Sequence, residues 1–303
     1  MTRFRVKHFN RYRYAHRIGL NYGEARLLPR DAPGQRVLES RLELAPEVDD
    51  RRDRLDAFGN RVAWFSLRHP HQNLSVTAHS LIARIPRPLP EDDTPWEAVA
   101  ARLQGPLAPD EADPAQAVAA RECRLVSPHV GLEPDALAYA LPSFGPGRPL
   151  LAAVAEFTAR IQADFDYRPN ATAIDTPLSE VLARRHGVCQ DFAHLALSGL
   201  RGLGLAARYV SGYLETTPPP GQPRQVGADA SHAWISVYLP GRGWFDFDPT
   251  NGVATGAGHL TLAWGRDYGD VAPLKGVIYG NGAHSLEVGV TVTRVDEAGD
   301  GPD

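Results

Sequence analysis

From Arg3 to Tyr14 the chain alternates. Arg3, Arg5, Lys7, Arg11 and Arg13 fall in one phase, and Phe4, Val6, Tyr12 and Tyr14 in the other. Successive side chains on a strand point to opposite faces, so this spacing predicts a half-buried strand with a basic outer face. That face is either a solvated sheet surface or a docking stripe for an anionic partner. The same period of two recurs over 37–44, with Leu38, Leu42 and Leu44 in phase, and over 74–85, with Leu74, Val76, Ala78 and Ile82 together. Asp56-Ala57-Phe58-Gly59-Asn60 supplies a turn before Val62-Ala63-Trp64-Phe65. Short strands separated by turn signals predict an antiparallel β-sandwich.

The pattern then changes. Prolines at 86, 88, 90, 95, 106, 109 and 114 among acidic residues mark a connector, broken by a short helix around Trp96–Leu103. Helical spacing follows at 114–125, 133–141 and 149–165. The last carries Leu150, Leu151, Val154, Phe157 and Ile161 on one stripe. Thr176-Pro177 predicts an N-cap and first-turn proline for a helix through Arg185. The Pro/Gly-rich run at 216–229 reads as an exposed loop between strands 207–214 and 231–239. Residues 285–295 place Leu286, Val288, Val290 and Val292 in one phase. An isolated strand leaves two open edges, so it is expected to return to the N-terminal sandwich, with the acidic tail Asp296–Asp303 frayed.

Composition narrows the function classes. The 303 residues are 43% hydrophobic and 22% charged, enough for a packed core and too long for one small domain. A net charge of −4 leaves no basic footprint for nucleic acid. No run approaches the ~18 apolar residues a membrane helix needs, and the first residues lack a signal-peptide apolar core. Cys123 and Cys189 are the only cysteines, which fits a reducing cytoplasm.

One of those cysteines opens a helix. Phe192, Ala193, Leu195, Ala196, Leu200 and Leu203 form an apolar stripe, with Gly187 before it and Cys189 in its first turn. A thiol there meets unpaired N–H groups and the positive end of the helix dipole, which favour thiolate; the alternative is an inert buried cysteine. His232 opens the next strand but one, and Asp248 closes Trp244-Phe245-Asp246-Phe247-Asp248. In order these are a thiol nucleophile, its base and a group to orient the base. Each also has a structural reading, His232 as a core histidine and Asp248 as a cap on Pro249-Thr250-Asn251. Asp246 competes for the orienting role, Asp191 reads as a first-turn acid, and His194 is turned away from the thiol. A zinc site lacks paired-cysteine or His-x-x-x-His spacing, so no metal or cofactor is expected.

The stretches Gly187-Val188-Cys189-Gln190-Asp191-Phe192-Ala193, Ser231-His232-Ala233-Trp234 and Trp244 to Gly252 resemble the transglutaminase-like superfamily. Within it the likeness is to bacterial transglutaminase-like cysteine proteases. It covers 150–265, with weaker stretches at 24–30 and 56–60 and in the tail from Gly265 to Leu274. The resemblance implies an α+β fold with a papain-like core, and gives Cys189, His232 and Asp248 the three catalytic roles. Tyr167, Gln190 and Trp234 are candidates for a second oxyanion donor or the cleft. The animal cross-linking enzymes of the superfamily use calcium and carry tryptophan after the nucleophile. This chain has no D-x-D-x-D-G loop, only Asp164-Phe165-Asp166, and has Gln190 at that place. The expected activity is therefore cysteine-dependent hydrolysis of a peptide or protein amide through a thioester. Transamidation to an amine, or a catalytically silent interaction module, are the rivals.

The expected organisation is a sandwich over 1–88 completed by 285–295, a connector with short helices over 89–148, a catalytic core over 149–265 and a return segment from 266. The site also demands a particular strand register. A four-residue turn at Pro240–Gly243 would set Ile235 opposite Asp248 and point Asp248 away from His232. A three-residue turn, Pro240–Arg242, pairs Leu239 with Gly243 and puts Trp234 level with Asp248. Gly241 and Gly243 suit the positive φ such a turn needs, so this register is predicted.

Overall fold

The computed structural model describes residues 1–107, 113–216, 231–280 and 282–295. Most of the loop expected at 216–229 and the tail Asp296–Asp303 lie outside the described residues. Six strands come first: β1 (Thr2–Ile18), β2 (Leu20–Ala25), β3 (Gln35–Ala45), β4 (Asp50–Leu55), β5 (Arg61–Leu67) and β6 (His71–Arg84). Helices α1 (Trp96–Gln104), α2 (Pro114–Glu122), α3 (Pro134–Ala140) and α4 (Leu150–Asp164) follow. Next are β7 (Asp166–Tyr167), α5 (Leu178–Arg184), β8 (His186–Gly187), α6 (Cys189–Gly202), β9 (Ala207–Leu214), β10 (Ser231–Leu239), β11 (Gly243–Asp248), β12 (Val253–Ala254) and β13 (His259–Gly265). The described chain ends with α7 (Tyr268–Val271), β14 (Leu274–Tyr279) and β15 (His284–Val295). Among the described residues no helix is long and apolar enough to cross a membrane.

Two four-stranded sheets form the sandwich, ordered β15-β1-β6-β3 and β14-β2-β5-β4. The C-terminal segment gives one strand to each. β15 runs antiparallel to β1 from Arg3↔Val295 to Tyr14↔His284. In β1, Phe4, Val6 and Tyr14 point inward as the alternation predicts, while Arg5, Lys7, Arg11 and Arg13 face solvent. The inward phase also carries His8 and Asn10, both buried. Asn10 Nδ2 contacts His8 Nε2 at 3.2 Å and His8 Nδ1 contacts the Tyr213 hydroxyl at 3.0 Å. This polar link ties the sandwich to β9, and Phe4, Val6, Ile82, Val290 and Val292 pack with Tyr213, Leu260 and Leu262 around it.

Two sequence expectations need correcting here. Leu38 is exposed although Leu42 is buried, because the β3–β6 register shifts between Val37 and Glu39 and turns Leu38 outward. Thr176 does not cap α5. Its hydroxyl accepts from Ala173 N at 2.9 Å, closing a turn, and Pro177 stands at the cap position.

The second layer is a five-stranded antiparallel sheet, β12-β11-β10-β9-β13, two strands wider than the pattern indicated. α6 lies against β9 and β10. Its stripe joins Ala233, Ile235, Val237, Phe245 and Phe247 with α4 residues Val154, Phe157 and Ile161 in the largest core cluster. The β10–β11 hairpin pairs Leu239 with Gly243 and Ile235 with Phe247. This is the three-residue-turn register, with Gly241 and Gly243 at φ of 78° and 89°. Its continuation puts Asp248 level with Trp234.

Candidate active site

The site begins where two short strands meet at the start of α6. β7 and β8 pair in parallel, setting Tyr167 beside Gly187, and Val188 leads in extended conformation to Cys189. Asp191, buried in the first turn, reaches back. Its Oδ2 accepts from Val188 N at 2.8 Å and from the Thr172 hydroxyl at 2.6 Å. Burial pushes its carboxyl pKa up, against these hydrogen bonds. Gly187 is needed for this approach, since a Cβ there would sit 2.7 Å from Asp191 Oδ2. Asp191 thus builds the turn that presents Cys189.

His232, at the start of β10, contacts Asp248 at the end of β11, Nε2 to Oδ2 at 2.8 Å. Cys189 stands near enough to act on the charge of the same ring. Asp248 takes Nε2, so Nδ1 is the nitrogen left for the thiol. Burial alone would lower the His232 pKa, but the hydrogen bonds and charges of Asp248 and Cys189 override it and push it up to about 10. Burial would likewise raise Asp248, yet hydrogen bonds from His232, His259 and Asn251 hold it well below the usual carboxylate range.

Asp248 is buried completely. Oδ2 accepts from His232, from His259 Nε2 at 3.0 Å and from Asn251 Nδ2 at 2.6 Å. Oδ1 accepts from the backbone N–H groups of Thr250 at 2.9 Å and Asn251 at 3.2 Å. The turn after β11, read from sequence as an alternative role for Asp248, is one half of its support. Asp246 on the same strand face does not reach His232; its Oδ2 accepts from Trp234 Nε1 at 3.3 Å.

The remaining candidates separate. Tyr167 stands half-exposed beside the thiol, and burial followed by the charge of Cys189 pushes its phenol pKa up, so its hydroxyl keeps a proton to donate. Gln190 commits its amide N–H to the Ile174 carbonyl at 3.2 Å. Trp234 is fully buried, so it cannot line a cleft. It packs behind the histidines, edge-on to His259 at 5.4 Å between ring centroids. His194 is buried and structural: it accepts from Tyr268 N at 3.2 Å and stacks on His129, and burial pushes its pKa down to about 3.

His259 is the residue the sequence reading missed. The run His259-Leu260-Thr261-Leu262-Ala263-Trp264 between glycines is a strand signal, but only pairing of β13 with β9 brings its first residue to Asp248. His232, Asp248 and His259 offer ligand atoms within 4.8 Å of one another, the one such group among the described residues. They do not fit a metal. Gly256 N donates to His259 Nδ1 at 3.1 Å, so the ring proton sits on Nε2 and is given to Asp248. A metal at Nε2 would have to displace that proton, and the carboxylate already has five donors.

Two family models match this chain. One, described as the transglutaminase-like superfamily, matches residues 140–249; the other, the bacterial transglutaminase-like N-terminal region, matches 4–83. The chain belongs to the transglutaminase-like superfamily. An uncharacterized protein of Mycobacterium tuberculosis is 41% identical over 98% of this chain and 94% of its own length. One of Mycobacterium leprae is 35% identical over 97% of this chain and 100% of its own. Among solved structures, a "putative cysteine protease" from Cytophaga hutchinsonii superposes with a TM-score of 0.70, covering 100% of this chain and 94% of that one at 19% identity. At that identity the likeness establishes the transglutaminase-like fold, an α+β arrangement of antiparallel sheets and helices with a strand-rich N-terminal region, and stops there.

Proposed function

We propose that this transglutaminase-like chain is a cysteine-dependent amide or peptide hydrolase that works through a thioester. The reading is carried by Cys189, His232 and Asp248, in which a mostly buried imidazole is hydrogen-bonded to a buried carboxylate and is raised in pKa by a helix-start thiol nearby. Cys189, as thiolate beside the His232 imidazolium, attacks the amide carbonyl carbon. The oxyanion is met by the Cys189 backbone N–H, one of the helix-start donors with no intrahelical acceptor. Tyr167 is the candidate second donor. As the tetrahedral adduct collapses, the C–N bond breaks and Nδ1 of His232 gives its proton to the leaving amine. Neutral His232 then takes a proton from water, whose oxygen attacks the thioester carbon and releases the acid and Cys189.

An amine in place of water would give transamidation through the same thioester. Two unpaired thiols support a cytoplasmic location as part of the proposal, open to test by cell fractionation. The deciding experiment is a peptide-library digest by wild type and Cys189→Ala, with and without an added primary amine. Hydrolysis predicts cleaved products with free carboxylates that persist in the presence of amine and vanish in the variant. Predominant amine-capped products would replace hydrolysis by transamidation, and equal turnover by the variant would reject both.

A further inference from the structure

We propose that His259 is a positioning residue for the site, a neutral N–H donor locked in one tautomer that holds the Asp248 carboxylate and moderates its grip on His232. The proposal rests on the active-site reading above. Its basis is a chain of hydrogen bonds with only one consistent proton assignment. A backbone N–H can only donate, so the 3.1 Å contact from Gly256 N requires a lone pair on His259 Nδ1. The single ring proton of neutral His259 is then on Nε2, 3.0 Å from Asp248 Oδ2. The ring is buried and cannot exchange this arrangement for one with water.

The placement of His259 is fixed from three sides. Trp234 stands edge-on against it, with interplanar angle 88°. Behind it, β13 pairs with β9 from His259↔Leu214 onward. The outer edge of β13 is held by two side-chain amides of the sandwich that act like a neighbouring strand. Gln35 donates to Thr261 O at 2.7 Å and accepts from Thr261 N at 2.8 Å. Asn60 donates to Trp264 O at 2.8 Å and accepts from Trp264 N at 3.0 Å. A histidine that served only to fill space would not require this proton order.

The consequence follows from the crowding of Oδ2. Three N–H groups share that oxygen, and each takes part of its negative charge, so each is bound less tightly than it would be alone. The donors other than His232 are neutral. They keep Asp248 ionised and in plane without adding a positive charge that would compete with the imidazolium. With His259 in place, His232 is held in orientation yet remains acidic enough to protonate a leaving amine. Without it, the carboxylate binds the imidazolium proton more tightly and the acid is weaker.

The test uses the full chain with nitrogen-15-labelled histidine. In wild type, His259 is expected to show its proton on Nε2 and a lone pair on Nδ1; a proton on Nδ1 overturns the proposal without any variant. In His259→Leu the His232 Nε2–H resonance is expected to move downfield, reporting a tighter bond to Asp248, with kcat/KM about tenfold lower. His259→Gln, whose amide can still donate, should return both toward wild type. An unmoved His232 proton in His259→Leu, or a Gln variant that behaves as Leu, overturns it. Should the Leu variant fail to fold, the wild-type tautomer and the Gln variant decide the matter. The resonances are also readable in Cys189→Ala, so failure of the positioning role is distinct from failure of the active-site reading, which turnover by Cys189→Ala would reveal.

Discussion

Asp248→Asn is the most informative single change, because it alters charge and hydrogen bonding at nearly constant shape. The carboxylate accepts five N–H donors, three on Oδ2 and two on Oδ1. An amide has one accepting oxygen. Whichever way it is turned, its NH₂ faces the two backbone donors or the three side-chain donors. At least two donors lose their acceptor, at about 1–3 kcal/mol each, so the fold is expected to lose about 2–6 kcal/mol. The effect on His232 is larger. Burial opposes its charge, and Asp248 is the main reason its pKa stands at about 10. With the carboxylate gone, only the Cys189 contribution opposes burial, so the pKa falls from about 10 and less of the imidazolium is present at neutral pH. The amide NH₂ also favours the tautomer with the proton on the wrong nitrogen, which in triads of this type costs roughly 10⁴-fold in turnover. The assay is kcat/KM on a peptide from the library digest, as a function of pH, with folding checked by thermal melts. Wild-type activity should persist until His232 deprotonates at high pH, whereas the residual activity of the variant should fall from a much lower pH. Asp246→Asn is the control for the His232 role, since its hydrogen bond goes to the Trp234 N–H, which an amide oxygen can also accept, although the change also removes a charge that favours the buried Arg208 and Arg84 guanidiniums. Asp248→Asn within tenfold of wild type, or a folded Asp246→Asn with the larger loss of kcat/KM and the shifted pH profile, would refute the assignment.

Other outcomes follow from the same geometry. Iodoacetamide at pH 6 should label Cys189 and spare Cys123, which is buried with its pKa pushed up by that burial; equal labelling, read by peptide mass spectrometry, would count against an activated Cys189. Because the His232 pKa is raised on folding, its stabilising contribution is complete below about 6.5 and lost as pH rises through about 10, while that of Asp248, whose pKa is lowered, is present above about 3.9 and lost on acidification. The stability gap between wild type and His232→Gln should therefore be widest near pH 5–6 and shrink toward pH 10 in urea titrations. Gly212→Ala should lower Tm sharply, since a Cβ there overlaps the Leu260 carbonyl and the Trp234 ring; an unchanged Tm would mean that this packing relaxes freely. Gln35→Leu should cost about 2–4 kcal/mol and speed amide exchange at Thr261, and exchange no faster than wild type would remove the clamp from the argument.

How much of this was legible in the chain depends on the separation of the interacting parts. The hairpin register could be read because it is local: Gly241 and Gly243, two positions apart, permit one turn and disfavour the other. The alternation of β1 was legible because one face is charged and the other aromatic. β14 was not, because its apolar residues occupy both faces, with Val277 and Tyr279 exposed and Ile278 turned in. Leu38 misled because a bulge leaves no mark in a two-residue period until the partner strand is known. The three expected catalytic residues were visible as motifs, whereas His259 was not. Its role requires β13 to lie beside β9 and a loop glycine to fix its tautomer, and both are properties of pairing. Trp234 was read as a cleft candidate because it adjoins His232 in sequence. Alternation along β10 places it on the same face, where β11 and β13 cover it.

That dependence on pairing bears on why a sandwich accompanies the catalytic sheet at all. β13 is an edge strand, and an edge presents unpaired N–H and C=O groups that must find partners or water. Here two side-chain amides of the sandwich stand where a second strand partner would pair, at Thr261 and Trp264. The oxygen and one N–H of a side-chain amide stand at nearly the spacing of a peptide, so each satisfies one residue of the edge without continuing the sheet, and the second N–H holds the amide to the sandwich at Arg30 O or Asp56 Oδ2. The strand so held carries His259, which meets the carboxylate that orients His232, which faces Cys189. Geometry at the thiol is therefore set partly by Gln35 and Asn60, both far from Cys189 in sequence, on a domain with no chemistry of its own in the proposed reaction. Loss of the sandwich would free the edge of β13 and uncover Tyr213, Leu260 and Leu262 together, so the order of the site and the burial of that junction rise and fall as one.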